Sequence, residues 1–144
     1  MSYASYTDIQ SEFKSLTFSA TTAVTSTEVT EFTTQESALI DCIVGSRYET
    51  PVTGTSSLSL LKSICIELVT NRIKKIMAVK TGTDATTQDS AQKEFTAMDK
   101  LKMIRDGKIL LKDATLLSSD AGITSYASIN SDVTLTFQRN TDQW

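Results

Sequence analysis

Histidine is absent from the 144 residues, and the chain has only one proline, two cysteines and five glycines. Without histidine, Ser-His and Cys-His nucleophilic systems and most zinc sites are excluded. The glycines occur singly, and neither of the glycine-rich phosphate-binding motifs is found. Because the usual catalytic and metal-binding groups are missing, we expect a protein that is not an enzyme and binds no cofactor.

Long apolar runs are also missing. No stretch approaches the roughly 18 apolar residues that span a bilayer, and the N-terminus lacks the pattern of a signal peptide. With a net charge of -3, broad binding to nucleic acid is not expected. We therefore expect a soluble protein made in a reducing cytoplasm, with no membrane contact. In that compartment, Cys42 and Cys65 are expected to be buried free thiols on helical stripes.

Apolar residues recur at helical spacing in four segments, which predicts a mainly α-helical fold. The third helix has the broadest apolar stripe and is expected to lie centrally. On the second helix, the expected core face consists of Val29, Phe32, Leu39, Ile40 and Ile43. Ser5 with Asp8 and Thr25 with Glu28 have the spacing of capping boxes at the first two helix starts. The predicted helices are residues 5–15, 26–44, 56–76 (starting at Ser56 or Ser57) and 87–105.

A short break separates the second and third helices, and it holds Gly45, Arg47, Tyr48 and Pro51. Gly45 is expected to end the second helix in the left-handed conformation. Tyr48 is expected to cover the core with its ring and to form a hydrogen bond at its tip. Arg47 is expected to pair with an acidic residue of the same chain or of a neighbour. A structural role for this turn is favoured over direct contact with a partner.

The C-terminal quarter of the chain has a different character. Gly107 is expected to close the fourth helix, and the segment Lys108–Leu111 is β-like. After Asp113 the residues are small and polar until Val133, Leu135 and Phe137 alternate with threonines, which is the period of a strand. This strand either docks on an edge of another chain or pairs with Lys108–Leu111 as a hairpin, and both interpretations remain open.

Charged residues offer two further candidates. The basic set is Arg72, Lys74, Lys75 and Lys80. It is interpreted first as the exposed side of a helix, then as a contact for an acidic partner, and last as a contact for nucleic-acid phosphates. The carboxylates Glu28 and Glu31 lie on one helix face. A solvated helix face is favoured over an acid/base pair, because no nearby motif supports catalysis.

Four passages, in this order, resemble the head–tail connector (adaptor) proteins of tailed bacteriophages. They are YTDIQSEF, ESALIDCIVGSRYETPV with its Gly-x-Arg-Tyr break, LSLLKSICIELVTNRI, and AQKEFTAMDKLKMIRDGKILL. Together they cover about residues 3–112. The resemblance implies a four-helix connector-type bundle in residues 1–112, followed by a long extended arm in residues 113–144 that contains a short β-strand or hairpin.

The resemblance further implies a structural subunit of the virion, made in the host cytoplasm and located at the neck. Such subunits form a ring, typically twelve-fold, between the portal and a stopper or tail protein. The ring lines a channel through which DNA passes without sequence-specific binding. The arm is expected to dock on the portal or a neighbouring subunit through Val133, Leu135, Phe137 and Trp144.

Two other functions are kept as alternatives. A neck stopper or tail-completion protein would be expected to be rich in strands, which the apolar third helix argues against. A helical regulator would bind a partner or DNA through the basic helix face, and salt-sensitive DNA binding would indicate it.

Overall fold

The computed structural model describes residues 2–81 and 96–117. These residues form α1 (Tyr6–Glu12), α2 (Ser26–Val44), α3 (Thr55–Thr81) and α4, whose described part is residues 96–105. Within the described part, β-structure is limited to one isolated antiparallel bridge between Tyr48 and Leu116. The prediction of a mainly helical fold is therefore confirmed.

Both predicted capping boxes are present. At the start of α2, the hydroxyl of Thr25 accepts the backbone N–H of Glu28, whose carboxylate accepts the N–H of Thr25 at 2.7 Å. Ser5 and Asp8 make the equivalent pair at α1. The bounds of α2 match the prediction, whereas α1 ends at Glu12 instead of Ser15 because Phe13 leaves the helical conformation. The ring of Phe13 then packs edge-on against Phe18, with 5.2 Å between centroids.

The longest helix, α3, contacts both α1 and α2. Its buried apolar residues form the centre of a single core, as predicted, and around Leu68–Asn71 the helix is buried on every side. Full burial of each large aliphatic side chain stabilises the fold by about 1.5–3 kcal/mol. The buried apolar residues of α3 include Leu61, Ile64, Cys65, Leu68, Val69 and Ile73.

The predicted core face of α2 was partly wrong. Leu39 is 38% exposed and Cys42 is exposed, whereas Thr33 and Ser37 are buried. Each buried hydroxyl donates to the carbonyl one turn earlier at 2.7 Å, so its burial leaves no unpaired group. Their small size also lets α3 approach closely, and the Oγ of Ser37 lies 3.6 Å from the buried Sγ of Cys65.

The described part of α4 ends at residue 105, as predicted, and Gly107 follows with a φ of +74°. The N–H of Lys108 donates to the carbonyl of Met103 at 2.8 Å, and that of Gly107 donates to Ile104 at 3.1 Å. This pair of bonds is the Schellman arrangement, which requires the left-handed residue. Residues 108–109 form a bend and residues 110–111 have no regular secondary structure, instead of the predicted β-like segment. Leu111 points into the core at 4% exposure.

Candidate functional site

The turn after α2 and the last described residues meet at one place. The N–H of Glu49 donates to the carbonyl of Thr115 at 2.8 Å, and the N–H of Leu117 donates to the carbonyl of Arg47 at 2.9 Å. These bonds flank the bridge between Tyr48 and Leu116. We call residues 45–51 together with residues 107–117 the joint. The segment that follows α4 is therefore bound to the turn that the sequence had singled out.

Tyr48 is the centre of the joint. Its side chain is only 2% exposed, and its hydroxyl accepts the backbone N–H of Leu111 at 3.2 Å. Its own N–H donates to the carbonyl of Val44 at 3.0 Å, so the residue is also attached to the end of α2. The prediction of a buried ring with a hydrogen-bonded tip is confirmed. The ring connects the helix end to the chain that follows α4.

The guanidinium group of Arg47 lies over Gly107. A β-carbon at Gly107 would stand 2.7 Å from Cζ and 2.9 Å from Nη2 of Arg47, closer than atoms can approach without a shift. The Cζ atom also lies 6.0 Å from the centroid of the Tyr48 ring. Arg47 is half-buried, and its Nε atom is shielded from water. Gly107 thus serves two purposes: it allows a positive φ and leaves room for Arg47.

Gly45 caps α2, but not as the sequence suggested. Its φ of -63° and ψ of -11° are right-handed, so the predicted left-handed conformation is wrong. The helical hydrogen bond continues through the cap, since the N–H of Gly45 donates to Asp41 at 2.8 Å. Pro51 is exposed and follows a cis peptide bond.

A carboxylate from the joint caps α3. Asp113 accepts the N–H of Ser56 at 2.7 Å and that of Ser57 at 3.0 Å, and the hydroxyl of Ser57 also donates to it. The hydrogen bond from the Ser57 hydroxyl, with the two backbone bonds, lowers the pKa of Asp113 below its ordinary value. A β-carbon at Gly54 would stand 2.7 Å from Oδ2 of Asp113, so this approach needs glycine.

The N-terminal residues reach the same region from the other side. The hydroxyl of Tyr3 donates to the carboxylate of Asp41 and accepts the N–H of Val52 at 3.3 Å. Burial and the bond to Asp41 raise the pKa of Tyr3, so it remains a neutral donor. Tyr3 thereby connects the end of α2 to the chain just after the turn.

Sequence reasoning missed Tyr3, Gly54 and Asp113 as parts of this region. No local pattern marks them, because their partners lie between 34 and 59 residues away. One signal was available: α3 has no acidic residue in its first turn, and Asp113 supplies that charge from elsewhere.

The predicted basic set is only partly a free surface. Arg72 pairs with Glu36 at 3.0 Å, and its Cζ lies 4.1 Å above the ring of Phe32, so it connects α3 to α2. Lys74 and Lys75 are partly buried on the same helix. The side chain of Lys80 lies outside what the structure describes. An intramolecular role accounts for Arg72, the member best suited to bidentate contact with phosphate.

The candidate carboxylates are not brought together as an acid/base pair. Glu28 forms the capping box of α2, and Glu31 is exposed. Residues 2–81 and 96–117 contain no group of three or more acidic or thiol side chains placed to hold a metal ion. No helix in those ranges is long and apolar enough to cross a membrane. The predicted docking residues Val133, Leu135, Phe137 and Trp144 lie outside the described residues.

Comparison with known proteins gives one match. Residues 3–122 match the family model described as "Bacteriophage Mu, Gp36". The chain belongs to this family. It is therefore a bacteriophage protein. No curated protein and no solved structure matches the chain.

Proposed function

We propose that this member of the Mu Gp36 family is a head–tail connector (adaptor) subunit. Copies of it form a ring of about twelve subunits below the portal. The ring joins the capsid to the tail and surrounds the DNA channel. The protein acts by assembly without catalysis, in the neck of the virion. Its partners are other copies of itself, the portal, and a stopper or tail protein.

The observation that carries this proposal is the joint. Its hydrogen bonds place Arg47 and Tyr48 next to Leu116 and Leu117, which lie near the start of the predicted C-terminal arm, residues 113–144. The buried tyrosine fixes the turn. The arm that starts beside the turn can extend to contact a partner. This combination suits a ring subunit, whose heterologous contacts join two different faces of neighbouring copies.

The helical architecture favours the adaptor over the two alternatives. A stopper or tail-completion protein was expected to be rich in strands, and the described residues are mainly helical. A regulator acting through the basic helix face would need Arg72 for its ligand, yet Arg72 is paired with Glu36 and stacked on Phe32.

The arm supplies the proposed contact with the portal or with a neighbouring subunit. Val133, Leu135 and Phe137 alternate with Thr134 and Thr136. If the segment pairs as a strand, the apolar side chains share one face and the threonines share the other. Main-chain bonds would give the affinity of such strand addition, and the apolar face would fill pockets of the partner.

Complementation of a phage lacking this gene tests the proposal. The double variant Val133→Asp with Phe137→Asp should leave filled heads and free tails that do not join, because two carboxylates replace the docking face. Thr134→Asp with Thr136→Asp is the matched control, with the same added charge on the opposite face, and should retain joined particles. Electron microscopy counts the two kinds of particle.

Mass spectrometry of purified virions completes the test. The protein should be present in a ring-like copy number, about twelve for each particle if the family implication holds. Joined particles with both double variants, or virions that lack the protein, would contradict the proposal.

A further inference from the structure

The outer side of α2 carries no charge over its C-terminal half. The helix contains no lysine or arginine, and two of its carboxylates have partners within the subunit: Glu36 pairs with Arg72, and Asp41 accepts the hydroxyl of Tyr3. The exposed side chains that follow residue 32 are all uncharged, and we call them the α2 face. They are Thr34, Gln35, Ala38, Leu39 and Cys42. An exposed helix surface is ordinarily charged or strongly polar, so this face suits contact with another molecule.

A second exposed apolar side chain lies in the joint, after α4. Exposure alternates along residues 108–112: Lys108, Leu110 and Lys112 point outward, whereas Leu111 is buried. Leu110 is 60% exposed, and with Leu60 of α3 it lines a groove of about 260 Å³. We call the three outward residues the lysine face. It consists of an apolar centre between two ammonium groups.

The two faces lie on different sides of the subunit. The α2 helix packs on α3 where the Oγ of Ser37 lies 3.6 Å from the Sγ of Cys65. The α4 helix is held to α3 at Glu67 by an ion pair of 3.0 Å. Residues two apart point in directions about 160° apart on a helix of 3.6 residues per turn, so α2 and α4 pack on nearly opposite sides of α3. Leu60 precedes Glu67 by two full turns and shares its side, which places Leu110 there as well.

The charges around the two faces are complementary. Glu31 is exposed at one end of the α2 face, and Glu49 is exposed just beyond the other end. If two like faces met, carboxylates would approach carboxylates or ammonium groups would approach ammonium groups, and both arrangements oppose association. Unlike faces bring opposite charges together at the rim and leave the uncharged side chains at the centre.

We propose that the α2 face of one copy binds the lysine face of the next copy, with Leu39 and Cys42 against Leu110. This inference rests on the proposed ring and states which surfaces build it. Because the two faces differ and lie on different sides of the subunit, each bound copy keeps one face open for a further copy. The contact is therefore heterologous, and it continues beyond a pair until the ring closes.

Disulfide cross-linking of the full-length protein tests the inference, because Cys42 is already exposed on the α2 face and Cys65 is buried. Leu110→Cys adds a thiol to the lysine face. Oxidation in purified virions, or of the purified protein at high concentration, should give a ladder of covalent products with three or more subunits. Leu110→Cys combined with Cys42→Ser should give no ladder.

Val79→Cys is the matched control for position. Val79 is also an exposed aliphatic residue, at 79% exposure. It lies about 28 Å along α3 from Leu60, at a rise of 1.5 Å per residue, so it is remote from the lysine face. Oxidation of this variant should leave the protein as separate subunits.

A charge exchange tests the pairing of the rims. In the Leu110→Cys protein, Lys108→Glu with Lys112→Glu should reduce the yield of the ladder at least about fivefold, because like charges then meet. Adding Glu31→Lys with Glu49→Lys should restore most of the yield. All four side chains are exposed, so thermal melts should show that the fold is retained in each variant.

The outcomes separate this inference from the proposed neck function. Disulfides within one chain, products that stop at dimers, or a charge exchange that restores nothing would overturn the inference. Virions that contain the protein but yield no ladder, or a new thiol bonded to a different virion protein, would overturn it and leave the neck function standing. A ladder from the purified protein, with virions that lack the protein, would support the contact and contradict the neck function. Absence of both the ladder and the protein from virions would contradict both.

Discussion

The starts of α1 and α2 differ from the start of α3 in where their capping groups come from. Ser5 with Asp8 and Thr25 with Glu28 cap their helices within three residues. The cap of α3 is Asp113, whose carboxylate comes from more than 55 residues along the chain. A local cap stabilises one helix end wherever that helix forms. A distant cap forms only when the whole fold is in place, so it couples the central helix to the joint.

This difference predicts where the molecule is most sensitive to substitution. Changes in the joint should affect α2, α3 and the chain after α4 together. Changes in a local cap should affect one helix end. The variants below test that contrast in decreasing order of expected effect.

Tyr48→Ala should have the largest effect. Removing a buried aromatic ring costs about 3–5 kcal/mol of unfolding free energy, and Tyr48 is 2% exposed. Tyr48→Phe keeps the ring and removes the partner of the Leu111 N–H, which should cost about 1–3 kcal/mol. Urea denaturation followed by circular dichroism measures both. If the two variants were equally stable, the ring would not be the centre of the joint.

Gly107→Ala should come next, at about 2 kcal/mol. The residue has a φ of +74°, and a left-handed conformation costs an alanine about 1–2 kcal/mol. The new methyl group would also displace the guanidinium of Arg47. Lys108→Ala is the control, since Lys108 is the exposed next residue. A melting temperature that fell equally for both variants would contradict the close approach of Arg47.

Asp113→Ala compares the distant cap directly with a local one. It should lower the melting temperature less than Gly107→Ala does, and it should speed amide exchange at both Glu49 and Leu117. Thr25→Ala, which removes a local cap worth about 1 kcal/mol, should speed exchange only in the first turn of α2. Exchange measured residue by residue by NMR separates the two patterns. Unchanged exchange at Leu117 in Asp113→Ala would mean that the cap is not coupled to the joint.

Acid should also weaken both the local and the distant cap, and it should lower the stability of the fold by less than the substitutions above. The hydrogen bond from Lys62, at 2.8 Å, and those from Ser5 lower the pKa of Asp8 from 3.8 to about 2. A lowered pKa stabilises the fold above the ordinary value, and that stability is lost as the pH falls. Asp8→Asn should therefore be less stable than the wild type at neutral pH, by less than about 1 kcal/mol because the ion pair is partly exposed.

The difference in stability between the wild type and Asp8→Asn should disappear between about pH 4 and pH 2. Thermal melts at several pH values can follow it. Asp113→Asn should behave in the same direction, since the pKa of Asp113 is also lowered. A difference that widened on acidification would contradict the sign of both shifts.

What could be predicted from the sequence follows the same division between local and distant contacts. Helical spacing and the two capping boxes depend on neighbours within four residues, so the bounds of α2 were predicted correctly. The burial of Thr33 and Ser37 in place of Leu39 and Cys42 depends on how closely α3 approaches, which spacing alone does not reveal. Composition favours leucine and cysteine for a core face, and tertiary packing overrode that preference.

The joint shows the same limit. Tyr48 was predicted to cover the core because it lies between Gly45 and Pro51, where the backbone geometry fixes the direction of side chains. Its partner Leu111, and the cap that Asp113 gives to α3, join parts of the chain that only the complete fold brings together. The turn was therefore found in the sequence, but the connection between the turn and the arm was not.

A reconstruction of the virion neck by cryo-electron microscopy would test the central claim most directly. The account predicts a ring of this chain below the portal, with the joint at a boundary between a subunit and its neighbour or the portal. The density of the C-terminal arm should continue from the joint onto that neighbour. A neck fully accounted for by other proteins, or a ring in which the joint faces only solvent, would contradict it.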